Sequence, residues 1–163
     1  MGKTDCQGTG FCSDLSATDA RQVATICTPK RYRKGTLVYP ADGSGEFVLF
    51  LKAGRVKTFQ LSEGGKEKII SILKKGGMFG EVALFSPDGA GQIIAQALDE
   101  AEMCAFDKRD LEELVRDCPQ VAIKVIQSLS GKLLKATRQI ECLSLMNVHE
   151  RMKCMLGELA DKI

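Results

Sequence analysis

The stretch GGMFGEVALF, Gly76–Phe85, decides how the rest of the chain is read. It places Gly76, Gly77 and Gly80 within five positions, follows them with Glu81, and closes on an apolar run. Glycine weakens a strand, so this density points to left-handed backbone or to the close approach of another group. Two readings are open at this point. The stretch is a tight corner of a barrel, or it is a cradle whose backbone amides face a small anion.

The sequence on either side supports a β-rich body. From Lys30 to Asp107, short runs such as TLVYP, FVLFL, RVKTFQL, KIISIL, QIIAQAL and EMCAF alternate with the turn clusters ADGSG, KAG, SEGGK, KKGG and SPDGAG. Gly54, Gly64 and Gly76 recur at intervals of 10 and 12 residues, the spacing of successive hairpins in a sandwich or barrel. Before this region, Ser16 can cap a short helix, SATDARQVATIC, with Ala20, Val23, Ala24 and Cys27 on one face, and Pro29 ends it.

The last third reads as helical. Asp107 can cap DKRDLEELVRD, whose Leu111, Leu114 and Val115 share a face. Pro119 then opens a longer helix, where proline is tolerated. Along it, Ala122, Ile126, Leu129, Leu133, Ala136, Ile140 and Leu143 advance by alternating steps of 4 and 3, three heptads of an a/d seam. Val121, Val125 and Leu134 form a second apolar set. The expectation is one helix with two buried faces, one on its own roll and one on a second copy; the alternative is a seam that packs only within the chain. Val148, Met152, Met155, Leu156 and Leu159 mark a final helix whose face reads as uncovered, so the sequence reads as part of something longer.

Composition narrows the function. The chain has 163 residues, 44% hydrophobic and 27% charged, with a net charge of +2, so no basic field points to nucleic acid by itself. No apolar run reaches the ~20 residues of a membrane helix, and the N-terminus lacks the apolar core of a signal peptide; a cytoplasmic protein with no membrane partner is expected. Seven cysteines in such a chain are not expected to form a disulfide framework. Cys27, Cys142 and Cys154 fall among apolar helical neighbours, where packing is the expected role, and Cys118 has no assignment. With one histidine, His149, no His-Glu-x-x-His spacing and no Walker-type loop, the chain is not expected to be an enzyme. A cupin-type roll would need a histidine cluster for its metal, which one histidine cannot supply.

The order of short helix, β-roll, short helix and seam helix resembles the cyclic-nucleotide-binding fold of the Crp/Fnr superfamily of transcription regulators. GGMFGEVALF resembles its phosphate-binding cassette, FLKAGRVKTF its strand–glycine–strand hairpin, and LSLMNVHERMKCMLGELA its hinge and the first helix of a DNA-binding domain. The resemblance implies an α+β fold: a double-stranded β-helix, or jelly roll, with a short N-terminal helix and a long C-terminal dimerisation helix. It implies a lead-in over 1–14, a β-roll effector domain over 15–118, a dimerisation helix over 119–145, and a hinge with the start of a winged-helix domain over 146–163. DNA would then be read by a domain outside this chain.

The resemblance also implies candidate sites. Gly80, Glu81, Val82 and Ala83 match the cassette, and Ala136 and Thr137 stand where cyclic-AMP readers place a Thr–Ser pair. The arginine that pairs with the phosphate is missing: SPDGAGQIIAQAL holds neither arginine nor lysine. A carboxylate pocket without that cation repels a phosphate, so cyclic AMP is not the expected effector and the corner reading of the glycines is preferred. Oxygen-sensing members bind an iron–sulfur cluster through N-terminal cysteines and one distant cysteine. Cys6, Cys12 and Cys104 match three of those positions, while the first falls on Lys3, which is no ligand. The competing reading leaves Cys6 and Cys12 as lead-in thiols and packs Cys104 in the roll. Haem, held between roll and long helix in gas-sensing members, is the third effector reading. The function expected is the effector-sensing and homodimerising portion of such a regulator, against a stand-alone interaction module without DNA-binding activity.

Overall fold

The computed structural model describes residues 15–38, 47–82, 93–144, 152–153 and 156–157. Helix α1, Ala17–Ile26, starts where Ser16 accepts the Asp19 N–H at 3.1 Å. It turns the small residues Ala20 and Val23 inward. Strands β1 (Thr28–Tyr32), β2 (Phe47–Ala53), β3 (Val56–Leu61), β4 (Glu67–Leu73), β5 (Met78–Phe79), β6 (Ile94–Ala97) and β7 (Ala101–Asp107) follow. They form two antiparallel sheets, ordered β1-β7-β2-β5 and β4-β3-β6. The expected jelly roll is the observed fold.

Both sheets contribute to one apolar interior, with Leu49 and Leu51 of β2, Val56 of β3, Leu73 of β4 and Met103 of β7 among its members. The alternate residues of β2 and β7 are buried as well: Val48, Phe50, Cys104 and Phe106. Helix α2, Lys108–Asp117, packs on β7 and β2, burying Leu111 and Leu114. Coverage of both faces is why FVLFL reads as unbroken apolar sequence rather than alternation. Phe50 and Phe106 meet edge to face, ring centroids 5.4 Å apart. Asp107 caps α2 by accepting the Asp110 N–H at 2.8 Å.

TPKRY, absent from the expected β-runs, is β1, paired residue for residue with β7 from Thr28↔Ala105 to Tyr32↔Ala101. Its side chains are mostly exposed, so it carries no apolar alternation for the sequence to reveal. Conversely, TLVYP was expected to be a strand. Its described part makes only an isolated bridge, Leu37↔Gln96, with the Val38 N–H donating to the Ala95 carbonyl at 2.8 Å.

The chain divides into two compact units, residues 1–124 and 125–163. Helix α3, Pro119–Ser144, begins in the first and continues through the second. Val121 and Val125 are buried as expected, but Leu134 of the same set is exposed. Of the seam, Ile126, Leu133, Ala136 and Ile140 are exposed and Ala122 and Leu129 half-buried. The side chain of Leu143 lies outside what is described. Packing within the chain therefore leaves most of the described seam open to solvent. No helix among the described residues is long and apolar enough to cross a membrane.

Candidate functional site

The glycine-rich corner is built from the end of β4. Gly76 has φ +85° and its N–H donates to the Leu51 carbonyl at 2.8 Å; the Leu51 N–H returns a bond to the Gly77 carbonyl at 2.9 Å. A Cβ on Gly77 would lie 2.9 Å from the Lys74 carbonyl oxygen, closer than real side chains come. Two of the three glycines thus serve the turn itself. Met78 and Phe79 then pair with Phe50 and Leu49. Gly80, at φ +96°, swings the chain into a helical turn that sends Glu81 inward, only 1% exposed, and leaves Val82 on the surface. Ala83 lies outside the described residues.

A buried carboxyl group can accept hydrogen bonds, and a charge left unpaired there would be costly. Glu81 and Thr58 are the polar side chains buried among the described residues. Thr58 was not singled out by sequence. It faces Ser71 of β4 and Ala95 of β6 in register, with the two hydroxyl oxygens 2.8 Å apart. The available signal was its place two residues after Val56, on the inward face of RVKTFQL. Phe59, next to it on β3, is buried as well, which hides that alternation.

A second glycine turn joins β2 to β3. Gly54, at φ +85°, lies against the backbone of Glu100 and Ala101. Next to it, the Arg55 N–H donates to Asp99 Oδ1 at 2.5 Å and its Nε to Oδ2 at 2.7 Å. Those Arg55 hydrogen bonds hold the Asp99 carboxyl below the usual carboxylate range.

Ala136 and Thr137 are exposed on α3, and the Thr137 hydroxyl donates to the Leu133 carbonyl of its own helix at 3.0 Å. Cys6 and Cys12 lie outside the described residues, as does His149. Cys104 requires a correction: its sulfur is bonded to that of Cys27, with Cα atoms 5.4 Å apart across a sequence separation of 77. A sulfur committed to a disulfide offers no thiolate to iron, so Cys104 does not fit the cluster reading in this state. The same bond corrects the expectation against a disulfide framework. Cys142, expected to pack, is also disulfide-bonded. Cys118 is a buried free thiol at the C-cap of α2, where its N–H donates to the Leu114 carbonyl at 2.8 Å. No group of three or more His, Cys, Asp or Glu suited to a metal occurs among the described residues.

With this geometry in hand, comparison with known proteins is decisive. The family model of the cyclic nucleotide-binding domain matches residues 29–118, from β1 to the end of α2. The chain belongs to this family. Its relatives are regulators of the Crp/Fnr type. The cyclic AMP receptor protein of Thermus thermophilus is 27% identical over 128 residues, covering 78% of this chain and 59% of that protein. The anaerobic regulatory protein of Haemophilus influenzae is 24% identical over 161 residues, covering 97% and 62%. Among solved structures, the Thermus thermophilus catabolite activator protein superposes with a TM-score of 0.70 at 25% identity, covering 82% of this chain and 62% of that one. The heme domain of CooA from Carboxydothermus hydrogenoformans has the same fold, with a TM-score of 0.57 at 24% identity over 72% of this chain and 80% of that one. The chain spans about 60% of the length of the curated relatives named here.

Proposed function

We propose that this chain is the effector-sensing and dimerising portion of a Crp/Fnr-type transcription regulator, responding to something other than cyclic AMP. The observation that carries the reading is an α3 seam left exposed directly after a cyclic nucleotide-binding roll. Three heptads of apolar residues repeat at coiled-coil spacing, and a second copy of the same helix presents the complementary seam. The roll senses and the paired helices transmit. An effector that binds one crossing of the two helices better than another shifts the population between them. DNA is contacted by a part of the protein outside these residues.

Cyclic AMP is disfavoured on residue grounds. The cassette retains Gly80 and Glu81, but Ser86–Leu98 contains no arginine or lysine to pair with a cyclic phosphate. What remains is a buried carboxyl at Glu81 with no cation in the segment that follows it, which disfavours an anionic effector. The test is a pair of titrations on the dimeric protein, one with cyclic AMP followed by calorimetry and one with haemin followed by the Soret band. Cyclic AMP is expected to give no saturable heat; tight, stoichiometric binding would overturn the exclusion. A saturable Soret change would assign the effector as haem.

A further inference from the structure

We propose that the Cys27–Cys104 disulfide is a reversible latch that pins α1 over Cys118 when oxidised and lets α1 lift when reduced.

Cys27 is the C-cap of α1, and its N–H donates to the Val23 carbonyl at 3.0 Å. Cys104 lies in the middle of β7, opposite Pro29 of β1 on one side and Phe50 of β2 on the other. The Cα separation of 5.4 Å is within the range a disulfide spans without moving backbone. Apart from this bond, α1 is lightly held. Its fully buried side chains are Ala20 and Val23, two small groups that recover little of the entropy lost in ordering ten residues. A cross-link to a strand 77 residues away is therefore the firmest attachment this helix has.

The helix covers something reactive. Asp19 of α1 accepts a hydrogen bond from the buried Cys118 thiol, and α1 packs against α2, the helix that Cys118 ends. Burial pushes the Cys118 thiol up, which keeps it protonated and unreactive while α1 is docked. Lifting α1 wets this thiol and uncovers the face of α2. The latch thus converts redox state into exposure of a surface next to the start of α3.

The chemistry balances as thiol–disulfide exchange. One thiolate of an external dithiol attacks Sγ of Cys27, the slightly more exposed residue of the pair, and Cys104 leaves as a thiolate that takes up a proton. The second thiolate of the dithiol then closes on its own sulfur and releases Cys27. Two electrons and two protons pass to the protein, and the dithiol becomes a cyclic disulfide. In the reverse direction a small-molecule disulfide such as oxidised glutathione is the acceptor. The proposal rests on the reading of this chain as a regulator working beside DNA, where thiols are kept reduced and a disulfide forms only in response to an oxidant.

The experiment equilibrates the purified protein over a series of oxidised-to-reduced glutathione ratios, then maps disulfide-linked peptides and measures the rate of Cys118 alkylation by iodoacetamide. Cys27 and Cys104 are expected to convert together in one two-electron transition, with Cys118 alkylated about tenfold faster or more once the bond is open. In Cys27→Ser, Cys118 should react at the fast rate at every ratio. Hydrogen exchange on the unmutated protein guards against a variant that fails to fold: α1 amides should lose protection on reduction while β2 and β7 keep theirs. Absence of a Cys27–Cys104 peptide at every ratio overturns the proposal. So does a Cys118 rate, or an α1 protection pattern, that ignores the state of the bond. Sedimentation of the oxidised protein tests the dimer independently, so failure of either reading is told apart from failure of the other.

Discussion

Replacing Leu133 with aspartate tests the seam directly. Ile126, Leu133 and Ile140 are 59%, 69% and 64% exposed in the single chain, so each has about two thirds of its side-chain burial still to gain. Complete burial of such a side chain contributes about 1.5–3 kcal/mol, which leaves about 1–2 kcal/mol per residue and roughly 6–12 kcal/mol over six residues in a dimer. Leu133→Asp removes two of the six contributions, about 2–4 kcal/mol in total. It also brings two carboxylates into the dry seam, where each costs at least a further ~1–2 kcal/mol if it finds no partner. The sum is about 5 kcal/mol, a rise of several thousandfold in Kd. Sedimentation velocity at micromolar protein should show a dimer for the parent chain and a monomer for Leu133→Asp. Lys135→Asp, a larger change in charge off the seam, should remain dimeric. Retained helical circular dichroism would exclude unfolding as the cause. An unchanged dimer in both Leu133→Asp and Ile140→Asp would refute the assignment of this face.

Gly54→Ala should destabilise the roll by about 2–4 kcal/mol, from left-handed backbone plus a Cβ placed 2.9 Å from Ala101 Cα, read as a lower urea midpoint; an unchanged midpoint would contradict the contact between the two turns. Asp99→Asn should cost at most about 1 kcal/mol at neutral pH, because the Arg55 pair is largely solvated. Since the folded carboxyl lies below its unfolded value, the pair's contribution is complete above the unfolded pKa of about 3.9 and is lost as pH falls through the lower folded value. Melting curves of parent and variant should therefore converge in strong acid, and a gap persisting there would rule out the ion pair as its source. Thr58→Val should lose about 1–2 kcal/mol by stranding the Ser71 hydroxyl, and adding Ser71→Ala should restore most of it, measured by thermal melting; no recovery would mean the two hydroxyls are not coupled.

The sequence reading and the structure agree where the physics is local. Ser16 and Asp107 act as N-caps, and Pro119 opens α3, because a cap depends on residues within one turn. The corner at Gly76–Gly80 was legible because a positive φ leaves glycine as the low-cost residue. Glu81 could be expected to turn inward from its place before an apolar run, although its burial to 1% exposure depends on the strands packed around it.

Where the partner is remote, the sequence was silent. TPKRY is a strand because β7 offers it an edge, and its exposed side chains leave no periodic trace of that. Thr58 meets Ser71 only after a register shift, which no count of alternating residues predicts. Cysteine number and compartment argued against a disulfide framework, and the family resemblance nominated Cys104 for a metal. The pairing of β1 with β7 instead brings Cys27, which immediately precedes β1, beside Cys104.

By itself, then, the order of residues determined a β-rich body of successive hairpins, the helix starts and a seam of three heptads, since each follows from periodicity or from a cap within reach of its own turn. Which sulfurs meet, which hydroxyls pair inside the roll and which face of α3 the single chain leaves open were decided by tertiary packing. The reason is that each of these depends on a register between segments tens of residues apart, and that register is set by the fit of the whole core.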